Sequence, residues 1–398
     1  MNIKIIFLIL VIAVIVAFGT FFFLTFNTPP IGIEPLEPVA VPEESSSTAN
    51  LMEKPVPRPN PEKTTLPENS ENPPVSPSKN TAVPATPTTP TTPTTPTTPN
   101  TFFTLLEGDS VFLAKDDGTL SSNDDVDVNA VTKRFFQSHP DQYDFIAIFT
   151  DFPGNGSNFN LTVKNPIQGL GIDPWDNSTS FGSSGTLKAV VVEHVRPSVD
   201  NSYTFIDLAH EISHYWLAYI PNQPSLPINR DGAHWSKWFD TAVRSGSCFS
   251  RDPNGGGAYV DNGDGTFSLD PKPGCPPSKG TASHKVNSLD LYLMGLIPVS
   301  EVTPLTLWIP DDPSIEPSDS PAIKGTKKIV TVDDIIKIAG QRSPAYPNTQ
   351  KDFKVAYIYL AKGVPSDWQI NNIKWIAQNF PQEWSFVTGG RSTISPVK

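Results

Sequence analysis

The chain has 398 residues, with 41 acidic against 29 basic side chains and a net charge of −12. Such acidity, with no basic patch interleaved with aromatics, excludes a nucleic-acid partner that would have to be held by its phosphates. Proline is abundant at 43 residues, and its uneven distribution divides the chain into parts that differ in kind.

Ile5 to Phe26 is an uncharged apolar run. At about 1.5 Å rise per residue such a helix crosses a hydrocarbon core of roughly 30 Å. Phe21, Phe22, Phe23 and Leu24 carry the run past Ala17-Phe-Gly19, the small-residue site at which a signal peptidase would cut. Residues 1–26 are therefore expected to be an uncleaved, single-pass signal anchor, with a removed signal and a secreted protein as the alternative. Lys4 precedes the run and no lysine or arginine follows until Lys54, which places the N-terminus in the cytoplasm and the rest outside it.

Residues 27–100 are rich in proline and threonine, and Thr86 to Pro99 repeats Thr-Pro-Thr. So little apolar surface cannot offset the entropy of ordering, so this segment is expected to be a disordered linker. Stretched at about 3.1 Å per residue, it would reach roughly 200 Å.

Residues 101–398 are expected to form the globular domain. Tyr143 to Thr150 and Leu187 to His194 are apolar runs of strand length. A helix is expected next, with Phe205, Leu208, Ala209, Ile212, Trp216 and Tyr219 at helical spacing on its apolar face. Thr204 and Asp207 make a capping pair at its start, and Pro221 ends it. His210, Glu211 and His214 lie off the apolar stripe in an H-E-x-x-H run. Residues four apart share a helix face, so two imidazoles can grip one metal ion while Glu211 takes a proton from a water activated by it.

Catalytic zinc (Zn2+) needs a third protein ligand beside an open position. The nearest downstream histidine is His234, in Asn229-Arg-Asp-Gly-Ala-His-Trp235, where Gly232 lets the chain bend back toward the helix. Asp231, Asp290 and His284 are the alternatives.

Further on, Cys248 and Cys275 suit an oxidising compartment. A bridge between them would contribute about 3–4 kcal/mol on chain-entropy arithmetic, and two unpaired thiols are the alternative. Asp261-Asn-Gly-Asp-Gly265 has part of a calcium-loop pattern, but Val260 and Pro271 occupy ligand positions, so a β-turn between two short strands is expected. Ser288 to Gly295 reads as a short buried helix, in which Met294 is a candidate floor beneath the metal, ordinary core packing being the alternative. Tyr292, His284 and Arg391 are candidate oxyanion donors. Val330 to Ile338 reads as a strand followed by a helix start, Val355 to Leu360 as a strand, and Ser366 to Phe380 as a helix.

The H-E-x-x-H run resembles that of the zincin metallopeptidases. Together with Asp-Gly-Ala-His-Trp and Leu-Asp-Leu-Tyr-Leu-Met-Gly-Leu, it looks like a group of uncharacterised secreted or surface zincin-like proteins. Neither well-marked branch fits. Leu217 and Ile220 stand where metzincins have glycine and histidine, and no glutamate occurs between Glu211 and Glu301 to serve as in gluzincins. The resemblance implies an α+β fold with a mixed twisted sheet, an active-site helix and a mainly helical C-terminal part. It also implies an edge strand lining the cleft, for which 187–194 is a candidate, an ordinary core strand being the alternative. The function implied is a membrane-anchored, extracytoplasmic zinc metallopeptidase with Glu211 catalytic, His210, His214 and His234 on the metal, and a peptide or protein substrate. The alternative is an inactive surface binding or adhesion protein braced by structural zinc.

Overall fold

The computed structural model describes residues 102–106, 111–154, 157–194, 201–276 and 284–397. The expected anchor, Ile5 to Phe26, and the linker 27–100 lie outside these residues. Among the described residues no helix is long and apolar enough to cross a membrane.

The chain first lays down β1 (Phe103–Leu105), β2 (Val111–Lys115), α1 (Val128–Phe136), β3 (Phe145–Thr150), β4 (Phe159–Thr162) and β5 (Ala189–His194). Helix α2 (Asn201–Ser213) carries His210 and Glu211. His214 lies one residue beyond it and continues its winding, its N–H donating to the His210 carbonyl at 3.2 Å. Next come β6 (Trp235–Asp240), β7 (Gly255–Gly257), β8 (Tyr259–Asp261), β9 (Thr266–Leu269), α3 (Ser288–Met294), β10 (Leu305–Pro310), β11 (Ile323–Val330) and α4 (Val332–Ala339). The chain closes with β12 (Asp352–Ala361), α5 (Asp367–Val387) and β13 (Thr393–Pro396).

The first sheet runs β1-β2-β12-β3-β5-β4, with β13 also pairing with β12. Strands β12, β3 and β5 are parallel neighbours, and β4 lies antiparallel to β5 at the edge. Successive strand residues face opposite sides. Ala147, Phe149 and Val191 accordingly join one core with α2 and α5, while Ile146, Ile148, Val190 and Val192 join another with α1. The second sheet, β7-β6-β10-β11-β9-β8, adds Trp235, Phe239, Phe267 and Leu307 to the core of the α2 side.

The fold is thus mixed α+β, as expected, but its C-terminal part is not mainly helical. The second sheet and β12 occupy much of that part. Strand β11 explains the discrepancy: in Ile-Lys-Gly-Thr-Lys-Lys-Ile-Val only the two end residues are buried, so it presents no continuous apolar run. Helix α5 also outruns its expected end at Phe380. Pro381 removes one helical hydrogen bond, yet Trp384 and Val387 beyond it are buried in the core and hold the last turns. Thr331 and Asp334 form a capping box between β11 and α4, placing the expected strand-to-helix switch there.

Strands β8 and β9 pair antiparallel around Asp261-Asn-Gly-Asp-Gly265, the expected turn. Cys248 and Cys275 form a disulfide across 27 residues of sequence. Replacing both cysteines with serine is expected to lower the unfolding free energy by about 3 kcal/mol, measured by denaturant titration under oxidising conditions.

Candidate metal centre

Helix α2 is oriented by its apolar stripe. Phe205, Leu208, Ala209 and Ile212 are buried in the core shared with the first sheet, which turns His210 and Glu211 away from it. The helix begins at Asn201, a turn before the expected Thr204–Asp207 cap, and Asp207 instead lines the cleft beside Glu211. It also ends well before Pro221. The Ser213 hydroxyl donates to the His210 carbonyl at 2.7 Å, and the N–H groups of Tyr215 and Trp216 make tighter i→i−3 bonds. Ala218 then takes a left-handed conformation, with φ 66°, and reverses the chain. Tyr219, expected on the buried stripe, consequently faces the cleft and donates its hydroxyl to the His214 carbonyl.

The reversed chain is fastened by asparagines. Asn222 and Asn229 exchange hydrogen bonds of 2.7 and 2.8 Å, and the Asn229 amide donates to the Ala218 carbonyl. Gly232, at φ 97°, makes the bend anticipated from the sequence, with its N–H on Asn229 Oδ1 at 2.6 Å. The Asp231 carboxylate accepts from the N–H of Ala233 at 3.1 Å and of His234 at 3.0 Å. The loop closes where the Arg230 N–H meets the His234 carbonyl at 2.8 Å.

His234 arrives opposite α2. Its Nε2 is 3.3 Å from that of His210, which is itself 3.2 Å from Nε2 of His214. The three histidines lie close enough to hold a metal ion. Two tetrahedral ligand atoms about 2.05 Å from one ion would be separated by about 3.3 Å, so the observed spacings fit. The protonation pattern fits as well. His210 Nδ1 is 2.7 Å from the Pro253 carbonyl, which can only accept, and His234 Nδ1 is 2.9 Å from both Asp231 oxygens. With those nitrogens donating, the Nε2 atoms of His210 and His234 are left as lone pairs that face one another. Burial holds His210 down to about 4 and His214 well below its usual range, so both are neutral at pH 7. Against the upward push of partial burial, hydrogen bonds from His234 and its neighbours hold Asp231 at about 2.

Glu211 is buried beside the histidines, with Oε1 3.7 Å from His210 Nε2. Burial first, then the charge of Asp207, pushes its carboxyl up to about 8. The cleft in front has a volume of about 420 Å³, and one side is formed by Ser157, Asn158, Phe159 and Asn160 at the start of β4. Asn160 donates to the Glu211 carbonyl at 2.7 Å and Asn158 to Asp207 at 3.3 Å, so the edge strand is tied to α2. The candidate edge strand 187–194 is instead interior, as β5 between β3 and β4. Its apolar run reflects burial on both faces, whereas β4 carries the half-exposed alternation of an edge.

Of the alternative ligands, Asp231 orients His234, and Asp290 is buried against the Trp235 indole. His284 lines a separate cavity of about 140 Å³. None of the candidate oxyanion donors lines the cleft. Tyr292 accepts from the Arg342 N–H in the core, Arg391 bonds the Gly389 carbonyl at the surface, and His284 is elsewhere. Met294 is buried in the core and does not border the cleft either. Asn158, Asn160 and Tyr219 were not anticipated there; sheet pairing and a left-handed turn bring them in, and neither has a local motif. Compared with protein-family models, curated proteins and solved structures, the chain finds no match.

At pH 7 Glu211 is mostly protonated while His210 and His214 are neutral, because 7 lies below the raised value and above the lowered ones. A divalent cation bound by the histidines favours the ionised carboxylate. Zinc binding is therefore expected to release about one proton that Glu211→Gln does not release, read by titration calorimetry in buffers of differing ionisation enthalpy.

Proposed function

We propose that this protein is a zincin-type zinc metallopeptidase whose domain stands outside the cytoplasm, held by residues 1–26 through the linker 27–100. The observation that carries the reading is a buried carboxylate beside three convergent histidines in an open cleft, with Glu211 Oε1 3.7 Å from His210 Nε2. Histidine donors suit zinc, and a catalytic site keeps a fourth position free. Zinc, when bound, supplies Lewis acidity that polarises a carbonyl and makes a water more acidic.

The remaining roles fall to the chain. Glu211 accepts the proton of the attacking water and delivers it to the leaving amine. Its burial strengthens that exchange by excluding competing solvent. Strand β4, paired only with β5 among the described residues, offers a free edge to an extended peptide beside the cleft, and side chains at Phe159 and Leu161 are partly exposed. Asp207 adds negative charge to the same wall, favouring a substrate with a basic group near the cleaved bond. The disulfide supports an extracytoplasmic location, since such bridges persist in oxidising compartments.

The test is Glu211→Gln in the full chain, assayed on a peptide library. Zinc content is expected to stay at the wild-type level, while turnover falls by about 1,000-fold or more, as for loss of a general base acting with a metal. Chelator should abolish wild-type cleavage and added zinc restore it. Cleavage by Glu211→Gln at the wild-type rate would refute the assignment. Zinc bound with no chelator-sensitive cleavage by wild type would favour the binding protein braced by structural zinc.

A further inference from the structure

Two carboxyl groups outside the cleft meet where the metal-bearing segments are held together. Asp290 of α3 is fully buried and Asp252, in the loop before β7, nearly so. Asn287, which caps α3, joins both: its Nδ2 donates to Asp252 Oδ2 at 3.1 Å and to Asp290 Oδ2 at 3.0 Å, and its backbone N–H reaches Asp252 Oδ2 at 3.2 Å.

Each carboxyl grips one half of the centre. Asp252 Oδ1 accepts from the Asn254 N–H at 2.8 Å, which shapes the loop 252–254. That loop presents the Pro253 carbonyl to His210 Nδ1 at 2.7 Å, and its Asn254 side chain meets the Ser213 hydroxyl of α2. Asp290 Oδ1 accepts from the Trp235 indole N–H at 3.0 Å, directly after His234 in the chain. Trp235 is bound a second time, its backbone N–H donating to the Asn254 carbonyl at 3.0 Å. A set of bonds thus runs from the His210 ring through Pro253, Asp252, Asn287 and Asp290 to Trp235, the residue after His234.

We propose that Asp252 and Asp290 are positioning residues: a carboxyl clamp bridged by Asn287, based on α3, that fixes His210 and His234 at metal-binding separation. Burial, and for Asp290 next the charge of its partner, raises both acids. A purely apolar contact would hold the same segments together without fixing ring orientation. Directed bonds to Nδ1 and to the indole set that orientation.

The inference rests on the metal reading of the three histidines and not on peptidase activity. Its test is zinc affinity, by competition with a chromogenic chelator, on the full chain and on Asp290→Ala, Asp290→Asn and Trp235→Phe. Loss of a direct partner of a metal ligand costs about 10–100-fold in metal affinity, and Asp290, one bond further out, is expected at the lower end, about 10-fold for Asp290→Ala. Asp290→Asn should weaken binding less than Asp290→Ala, because its amide oxygen still accepts from the indole although its nitrogen cannot accept from Asn287. The visible spectrum of the cobalt-substituted protein should change in Asp290→Ala and change less in Asp290→Asn. Equal zinc affinity in wild type and a folded Asp290→Ala overturns the clamp, as does an Asp290→Asn as weak as the alanine variant. If Asp290→Ala does not fold, Trp235→Phe decides: weakening by about fivefold or more supports the clamp and unchanged affinity overturns it. Failure of wild type itself to bind zinc would instead remove the metal reading beneath both proposals.

Discussion

Two imidazoles with their lone pairs turned on one another, those of His210 and His234, constrain everything around them. With the Nδ1 atoms of His210 and His234 donating to acceptors, their Nε2 atoms face each other as acceptors at 3.3 Å. Such an arrangement repels unless a cation lies between the rings, and it persists only if the surroundings fix each one. The surroundings do so separately for each histidine. Helix packing on the first sheet sets His210 and His214, the loop 252–254 turns the His210 ring, and Asp231 turns that of His234.

This division of labour explains how the chain manages without the short extension that a metzincin uses. There the third histidine follows the second after six residues, with a glycine making the turn. Here His234 is twenty residues beyond His214, and the intervening chain has its own means of return. Ala218 reverses direction at φ 66°, a conformation that costs an alanine roughly 1 kcal/mol. The Asn222–Asn229 clasp and the bond from Asn229 to the Ala218 carbonyl hold the reversal in place. The second sheet then has a structural purpose for the centre, because β6 begins at Trp235 and anchors the loop from its far end.

What could be read from the sequence follows from how local its cause is. The helix with His210 and His214 is encoded by spacing within one element, and His234 by the scarcity of histidine and a glycine that permits the bend. The role of Asp231 was half visible: its position near His234 marked it as relevant, but ligand and orienting partner look alike until the ring's Nδ1 is placed. Strand β5 was recognised and its place in the sheet was not, because pairing partners arise from topology. Strand β11 escaped notice because its lysines face solvent and leave only Ile323 and Val330 buried. The cleft residues Asn158, Asn160 and Tyr219 were invisible for a related reason: each is brought in by a tertiary contact to α2 or its C-terminal turn.

Where the fold accepts unfavourable placements is itself informative. Away from the cleft, two buried acids are met by cations. Asp144 is met by Lys188 at 3.1 Å, by the Lys354 N–H and by Gln350, and Asp240 by a two-pronged contact from Arg244, which also reaches Asp270. The cleft is different. Glu211 is buried one helical turn from Asp207, a like charge on the same face, and among the described residues no lysine or arginine lines the space before it. Beside it stand two histidines driven neutral by burial and a left-handed alanine. For stability alone, an apolar residue at position 211 and a glycine at 218 would serve better. Concentrating such costs around one cleft is the pattern expected where selection has acted on chemistry, and a cation among the histidines would convert the largest of them, the buried carboxyl of Glu211, into a favourable interaction.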